Sequence, residues 1–204
     1  MILVNYRRVA DMIILETERL RLRDFTEADI PKRIEWETID REWQKWDGPW
    51  EYEGLTAEQE QANLTEYVAG LHEFARKISM KKDDDMRYSF QLELKGSGEY
   101  IGWISCYCID DDYVYTDADG KYTFGIDIPS QACRGKGYGY EAFHAVLEYL
   151  TAHGMTEVYT QTWSGNVRMT ALAEKLGFAE ICRKKDYRTV AGKKYDGLTF
   201  VYKG

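Results

Sequence analysis

The sequence lacks a long apolar run, and no hydrophobic stretch approaches the roughly 20 residues that a membrane span requires. The first residues, Met1-Ile2-Leu3-Val4, are followed at once by Arg7, Arg8 and Asp11, which disfavours a secretory signal. We therefore expect a cytoplasmic protein that has no membrane partner.

Cysteine and histidine are scarce. The four cysteines have no metal-ligand spacing, and His72, His144 and His153 stand apart from one another on predicted helices. We therefore expect no metal site, thiols that pack in or beside the core, and histidines with structural roles.

Basic residues do not predominate either. The formal net charge of -8 argues against a nucleic-acid partner and is compatible with a cationic substrate.

What the chain does have is the make-up of one globular domain. Its 204 residues are 44% hydrophobic and 30% charged, which is enough apolar material for a sizeable core. The pattern shows no linker, repeat or low-complexity tract. We therefore predict a single domain over residues 1–204, with residues 1–12 as an N-terminal extension.

The element pattern predicts an α+β domain around a mixed sheet. A strand over residues 122–128, an amphipathic helix after it and a strand over residues 157–163 form a βαβ unit, so these two strands should be parallel. Alternation also predicts an opening strand that ends at Arg23, a hairpin over residues 88–109 and a last hairpin over residues 178–202. A capping box at residues 56–59 opens another helix, and a short helix follows residue 166.

A glycine-rich stretch lies inside the βαβ unit, between its first strand and its helix. It reads Arg134-Gly135-Lys136-Gly137-Tyr138-Gly139. Glycines at alternate positions leave backbone N–H groups uncovered where a helix begins, and the helix dipole adds positive potential there. The stretch is therefore a candidate phosphate site that needs no metal.

Other interpretations of this stretch compete. A Walker-type loop requires Ser or Thr after Gly-Lys, but Lys136 is followed by Gly137. A dinucleotide fingerprint requires G-x-G-x-x-G in an early βαβ unit, whereas these glycines are evenly spaced and come late. A plain structural turn between strand and helix remains open.

Three segments carry a resemblance to a known family. The glycine stretch, continued by Tyr140-Glu141-Ala142, resembles the acetyl-CoA pyrophosphate loop of the GNAT N-acetyltransferase superfamily. Trp163-Ser164-Gly165-Asn166, followed by Ala173-Glu174-Lys175-Leu176-Gly177-Phe178, resembles the second segment of that family. The opening strand, over residues 16–23, is similar to the RimJ/RimL-like branch.

The resemblance implies a fold and a donor. The fold is the GNAT fold, a mixed, mostly antiparallel sheet of six to seven strands flanked by about four helices, whose central parallel strand pair splays to hold acetyl-CoA. The pantetheine arm would add to the strand edge at Ile126, Asp127 and Ile128, and the side-chain amide of Asn166 would contact it. Asn166 has an alternative role as a helix N-cap. The pyrophosphate would rest on the backbone amides of Arg134, Gly135, Lys136, Gly137, Tyr138 and Gly139.

The implied reaction is transfer of an acetyl group to a primary amine by direct attack on the thioester. The acceptor would be a protein N-terminal amine or a small cationic amine. Alternatives are an aminoglycoside or polyamine acetyltransferase and a catalytically impaired CoA-binding module. A homodimer is compatible with the resemblance.

The catalytic positions of the family do not carry over. Residues without a suitable acid or base occupy them, namely Ala173, Met169, Gln161 and Thr123. Asp127 is the carboxylate nearest the expected thioester, so we predict a catalytic role for it, although a solvent-facing strand residue is an alternative. Carboxylates and Trp36, Trp46 and Trp50 would bind a cationic acceptor through ion pairing and cation–π contacts, unless these rings only pack the helices.

Overall fold

The computed structural model describes residues 12–204 of the chain. The predicted N-terminal extension therefore lies outside the described residues, except for Met12. Among the helices that the structure describes, none has both the length and the apolar character that crossing a bilayer would require. The strands are β1 Ile13–Glu16, β2 Leu20–Arg23, β3 Phe90–Leu94, β4 Tyr100–Ile109, β5 Tyr115–Thr116, β6 Lys121–Asp127, β7 Glu157–Trp163, β8 Ala179–Val190 and β9 Lys193–Lys203. The α-helices are α1 Ile30–Thr38, α2 Ala57–Ser79, α3 Tyr138–Ala152 and α4 Val167–Lys175.

The described strands form one mixed sheet. Its order is β1-β2-β3-β4-β6-β7-β9-β8, and β5 pairs with β4. Every neighbouring pair is antiparallel except β6 and β7, which are parallel. The predicted mixed α+β architecture, with one parallel pair at its centre and four α-helices, is confirmed.

The sheet has nine strands in the described part of the chain rather than six to seven. One extra strand arises because the opening segment, predicted as a single strand, turns back on itself. Leu20 N–H donates to Thr17 Oγ1 at 3.0 Å, and Thr17 N–H donates to Leu20 O at 3.0 Å, which separates β1 from β2. The two-residue β5 arises within the acidic connector between β4 and β6, residues 110–120, for which no strand was predicted.

Helices cover both faces of the sheet. Ile104 of β4 belongs to the core beneath α3, whereas its neighbour Trp103 packs against Trp36 of α1, because successive strand side chains point to opposite faces. The apolar residues that recur at helical spacing in α3 are all at most 2% exposed: Phe143, Val146, Leu147 and Leu150.

The second helix begins where the sequence predicts. Thr56 and Gln59 form the capping box of α2, with Gln59 N–H donating to Thr56 Oγ1 at 3.3 Å and Thr56 N–H donating to Gln59 Oε1 at 2.9 Å. Pro31 lies in the first turn of α1, where a missing N–H costs no helical hydrogen bond. These two helices carry the segment between them, residues 39–56, across one end of the sheet.

Candidate functional site

A cleft of about 1090 Å³ opens between β6 and β7. The two strands are paired at Thr123 opposite Tyr159, and Thr160 Oγ1 donates to Phe124 O at 2.8 Å. Beyond this point residues 125–128 line one wall and residues 161–163 line the other. The edge of β6 that faces β7 is therefore open to a ligand that hydrogen-bonds as an added strand would. Ile126 and Ile128, the predicted donor-binding residues of this strand, both line the cleft.

The glycine stretch forms the end of the cleft at the start of α3. Gly135 and Gly137 have φ of +71° and +85°, in the left-handed region that residues with a side chain rarely adopt. Gly137 is the N-cap of α3, and no side chain of the described chain caps the helix. Its first-turn N–H groups are therefore available to an anion.

Residues from the start of the described chain brace this loop. Arg19 Nη1 donates to Lys136 O at 2.9 Å, and Arg19 Nε donates to Glu141 Oε2 at 2.7 Å. Thr17 Oγ1 donates to the other oxygen of Glu141 at 2.6 Å. Although partial burial acts to raise it, these contacts hold the pKa of Glu141 below its usual range. No sequence signal pairs residues so far apart, and the role of Arg19 was missed.

Two residues of the stretch, Arg134 and Lys136, differ from the others in their surroundings. The N–H of Arg134 donates to Gln131 O at 3.2 Å, so an anion depends on the N–H groups from Gly135 onward. The guanidinium of Arg134 donates to Ile128 O at 2.8 Å and forms an ion pair with Glu42. Lys136 is exposed and lies outside the cleft lining, whereas Tyr138 and Gly139 belong to the lining.

Asn166 is the N-cap of α4, as its alternative interpretation had it. Its Oδ1 accepts the N–H of Met169 at 3.0 Å, and its Nδ2 donates to the carbonyl oxygen of Trp46 at 2.9 Å. Trp163 Nε1 donates to the same carbonyl at 2.9 Å. Asn166 therefore lines the cleft and also anchors the segment between α1 and α2 across it.

Two carboxyl groups line the cleft near the end of β6. Burial raises the pKa of Asp127 well above its ordinary value, the nearby Asp47 raises it further, and Arg33 opposes both. Loss of hydration, with Glu51 and Glu37 adding repulsion, raises the pKa of Asp47 to about 6. Asp47 is exposed and belongs to the lining of the cleft.

The cation that faces these carboxylates is fixed in place. The guanidinium of Arg33 lies 3.3 Å from the ring centroid of Trp103, and Arg33 Nε donates to Tyr67 Oη at 2.9 Å. Trp103 is the direct partner of Asp127 between β4 and β6, which brings Arg33 to this side of the cleft. The sequence identified Asp127 but gave no signal that would pair it with Asp47 or Arg33.

The three tryptophans predicted to bind an acceptor lie in different places. Trp46 lines the cleft with Arg168 4.1 Å from its ring centroid, and Trp50 lines it with Arg188 4.9 Å away. Trp36 is 1% exposed and packs on Tyr100 and Trp103. This placement corrects the expectation for Trp36: its ring is part of the core, and it is not carried into the proposed acceptor site.

The family positions that were expected to lack an acid or base are filled by packing residues. Ala173 and Thr123 are fully buried, and Met169 is 9% exposed. Gln161 lines the cleft, where its Nε2 donates to Thr199 Oγ1 at 2.9 Å and its Oε1 accepts from Tyr107 Oη at 3.2 Å. Any general base must therefore come from elsewhere in the cleft.

The comparisons with known proteins agree with this geometry. The sequence pattern of one family, described as acetyltransferase (GNAT) domain, matches residues 19–179. No curated protein matches the sequence.

Solved structures of similar shape cover most of the chain. A GNAT-family acetyltransferase from Bacillus anthracis is 17% identical, with 93% of this chain and 97% of that chain covered at a TM-score of 0.62. RimL, a ribosomal alpha-N-protein acetyltransferase in complex with coenzyme A, is 18% identical over 94% of this chain and 97% of that chain, with a TM-score of 0.64. The microcin C7 self-immunity acetyltransferase MccE, in complex with acetyl-CoA and AMP, is 12% identical over 92% and 94%, with a TM-score of 0.65. At these identities the likeness establishes the fold.

Proposed function

Because the chain belongs to the acetyltransferase (GNAT) domain family, we propose that it transfers the acetyl group of acetyl-CoA to a primary amine by direct attack on the thioester. The observation that carries this proposal is the cleft between β6 and β7. It has an uncapped, glycine-lined helix start and two carboxyl groups of raised pKa. It thus offers different chemistry to a phosphate and to an amine.

The donor half is proposed to bind the phosphates and the arm of acetyl-CoA. The N–H groups from Gly135 onward would hold the pyrophosphate, and the open edge of β6 at Ile126 and Ile128 would hydrogen-bond the pantetheine amides. The coenzyme A and acetyl-CoA held by the RimL and MccE structures support this choice of donor. When bound, acetyl-CoA supplies an activated acetyl thioester whose thiolate, with a pKa of about 8.5, leaves with little assistance.

The acceptor half has the harder task. A lysine-like amine with a pKa of about 10.4 is neutral only about once in 2,500 molecules at pH 7, and an α-amine with a pKa near 8 about once in 10. A carboxylate whose pKa is raised toward neutrality is well matched to accept the proton of the amine. We therefore propose Asp127 as the general base, with Asp47 as the group that helps to raise its pKa.

The likeness to RimL supports an α-amine of a peptide as one acceptor class, beside small amines. Trp46 and Trp50 would contact the acceptor from the segment between α1 and α2. The same likeness supports the RimJ/RimL-like branch as the more specific assignment within the family. The cytoplasmic location, the single-domain organisation over residues 1–204 and a homodimer stay predictions.

The test is release of coenzyme A thiol from acetyl-CoA across a panel of amines. The panel should contain small monoamines, polyamines, an aminoglycoside and short peptides with free N-termini, and the acetylated product should be identified by mass. Amine-dependent thiol release is the expected result. Tight binding of coenzyme A with no turnover on any amine would instead favour the impaired CoA-binding module, and absence of coenzyme A binding would overturn the proposal.

A further inference from the structure

Arg188 of β8 lines the cleft without an anionic partner. Its guanidinium contacts two rings and lies 4.9 Å from the centroid of Trp50 and 4.5 Å from that of Tyr187. Its Nε is buried and makes no hydrogen bond, and among residues 12–204 no carboxylate forms an ion pair with it. A buried N–H donor without a partner is costly, so the described chain leaves the hydrogen bonding of this guanidinium incomplete.

The neighbouring cations of β8 are paired, which makes Arg188 distinctive. Arg183 forms ion pairs with Glu180 and Asp196 at 2.6 and 3.1 Å, and Lys185 binds Asp196 at 2.8 Å. Both lie outside the cleft lining. Carboxylates are thus within reach of this strand, but they pair with the side chains that point away from the cleft.

A second cation of the same strand faces the cleft. Lys184 lines it, and its Nζ donates to two backbone carbonyls, those of Asp112 at 2.6 Å and Tyr113 at 3.3 Å. Carbonyl oxygens orient the ammonium group but do not neutralise its charge. Lys184 and Arg188 therefore give this wall of the cleft a net positive charge.

A β-bulge fixes the position of Arg188. Lys184 pairs with Gly197 and Arg188 with Tyr195, so the register shifts between them, and Asp186 has φ of +51°. The ring of Tyr187 packs over Gly197 so closely that a Cβ there would lie 2.8 Å from it. Bulges re-aim side chains beside binding sites, and this one holds the stacked guanidinium against the cleft.

The cleft also carries carboxyl groups. Asp47, Glu51 and Asp127 line it together with Lys184 and Arg188. An acceptor in the cleft therefore meets both carboxyl groups and cations. A polyamine or an aminoglycoside would place surplus positive charge against Arg188 and Lys184, which disfavours those acceptors.

We infer that the acceptor carries an oxyanion, a carboxylate or a phosphate, in addition to its amine, and that Arg188 binds this oxyanion while the amine lies at Asp127. The inference rests on the proposed function and names the substrate class of the same site. The guanidinium of Arg188 contacts the rings of Trp50 and Tyr187 and has no anionic partner among residues 12–204. Its planar N–H edge matches the geometry of a carboxylate or a phosphate. Lys184 adds positive charge to the site, while its hydrogen bonds go to the carbonyl oxygens of Asp112 and Tyr113.

The experiment compares acceptors that differ by one oxyanion. One pair is 4-aminobutyrate and its amide, a second is phosphoethanolamine and ethanolamine, and a third is a peptide with aspartate or asparagine as its second residue. We expect the enzyme to prefer the anionic member of at least one pair by about 10- to 150-fold in kcat/KM, the range of a hydrogen bond to a charged group. The pair that shows the preference identifies the source of the oxyanion.

The variants assign this preference to Arg188. Arg188→Gln should abolish it by raising KM for the anionic acceptor toward that for the neutral acceptor of the same pair. Arg188→Lys should restore part of it, because the charge returns without the planar N–H edge. Arg183→Gln is the matched control on the same strand and should leave the preference intact.

Binding measurements keep the inference testable even if turnover is absent. Calorimetry with coenzyme A present should show tighter binding of the anionic acceptor, and Arg188→Gln should remove the difference. Equal rates and equal binding for both members of every pair would overturn the inference while leaving acetyl transfer intact. A loss of coenzyme A affinity in Arg188→Gln would also overturn it, since Arg188 would then belong to the donor site.

Discussion

Replacing Asp127 by asparagine tests the proposed proton transfer most directly. Asp127→Asn keeps the size and the hydrogen-bonding capacity of the side chain but removes the carboxylate. Since general base catalysis typically contributes about 10²- to 10⁴-fold, kcat/KM near neutral pH should fall by that range. The loss should be larger for a lysine-like amine than for an α-amine, because fewer of its molecules are neutral before they bind.

The proposed base also determines the direction in which kcat/KM should change with pH. The pKa of Asp47 is raised to about 6, and burial and the charge of Asp47 raise the pKa of Asp127 as well. A base acts only when deprotonated, so kcat/KM should rise with pH as this coupled pair loses its protons. Asp127→Asn should remove that part of the rise and leave only the part that follows deprotonation of the free amine. In Asp47→Asn the rise should move to lower pH, because the charge that raises the pKa of Asp127 is gone.

The assay is the initial rate of thiol release at saturating acetyl-CoA, measured from acid to alkaline pH with one α-amine and one lysine-like acceptor. Asp119→Asn makes the same chemical change at an exposed residue of the acidic connector and should leave the rate and the profile unchanged. Retention of the full rate and the same pH profile by Asp127→Asn would refute the role of Asp127 as the base.

Two further predictions concern the donor loop and the core. Gly137→Asp places a side chain and a negative charge at a left-handed position beside Arg19, so calorimetry should show a severe loss of coenzyme A affinity. The control is Gly96→Asp, where a Cβ meets open space, and this variant should bind coenzyme A normally. Arg87→Met leaves the buried carboxylate of Asp24 without its partner at 3.0 Å and should lower the free energy of unfolding in urea by about 3–5 kcal/mol. A comparable loss in the exposed Arg76→Met, whose ion pair is on the surface, would contradict this reasoning.

Local patterns in the sequence were sufficient for much of the fold. The bounds of β4 and β7 agree with the alternating and apolar stretches that predicted them, and α3 follows its 3.6-residue periodicity. Each of these elements is determined by side chains within a few positions of one another. The opening strand was predicted with less success, because the turn that divides it is stabilised by Thr17 and by its contact with Glu141, far along the chain.

The candidate site shows the same difference between local and long-range determinants. The glycine stretch could be recognised from the sequence because its backbone conformation depends on its own glycines. Asp47 and Arg188 were not recognised as functional, since their roles depend on groups contributed by distant segments: Asp127 for one, Trp50 and Tyr187 for the other. Residue type also failed to separate Trp36, which packs in the core, from Trp50, which lines the cleft. Both lie in the same aromatic, acidic segment, and only the tertiary fold distinguishes them.

The contacts of Arg19 and Glu141 also set a limit on treating the glycine turn as a transferable part. A fragment that runs from β6 through α3 would keep all three glycines and the helix, yet it would lack Arg19. The side chain of Arg19 donates to the carbonyl of Lys136, and its backbone N–H and side chain both donate to Glu141. Grafted onto another scaffold, such a fragment would carry the sequence of the motif without two of the restraints that shape it. In this protein the loop is completed by the turn between β1 and β2, near the other end of the chain.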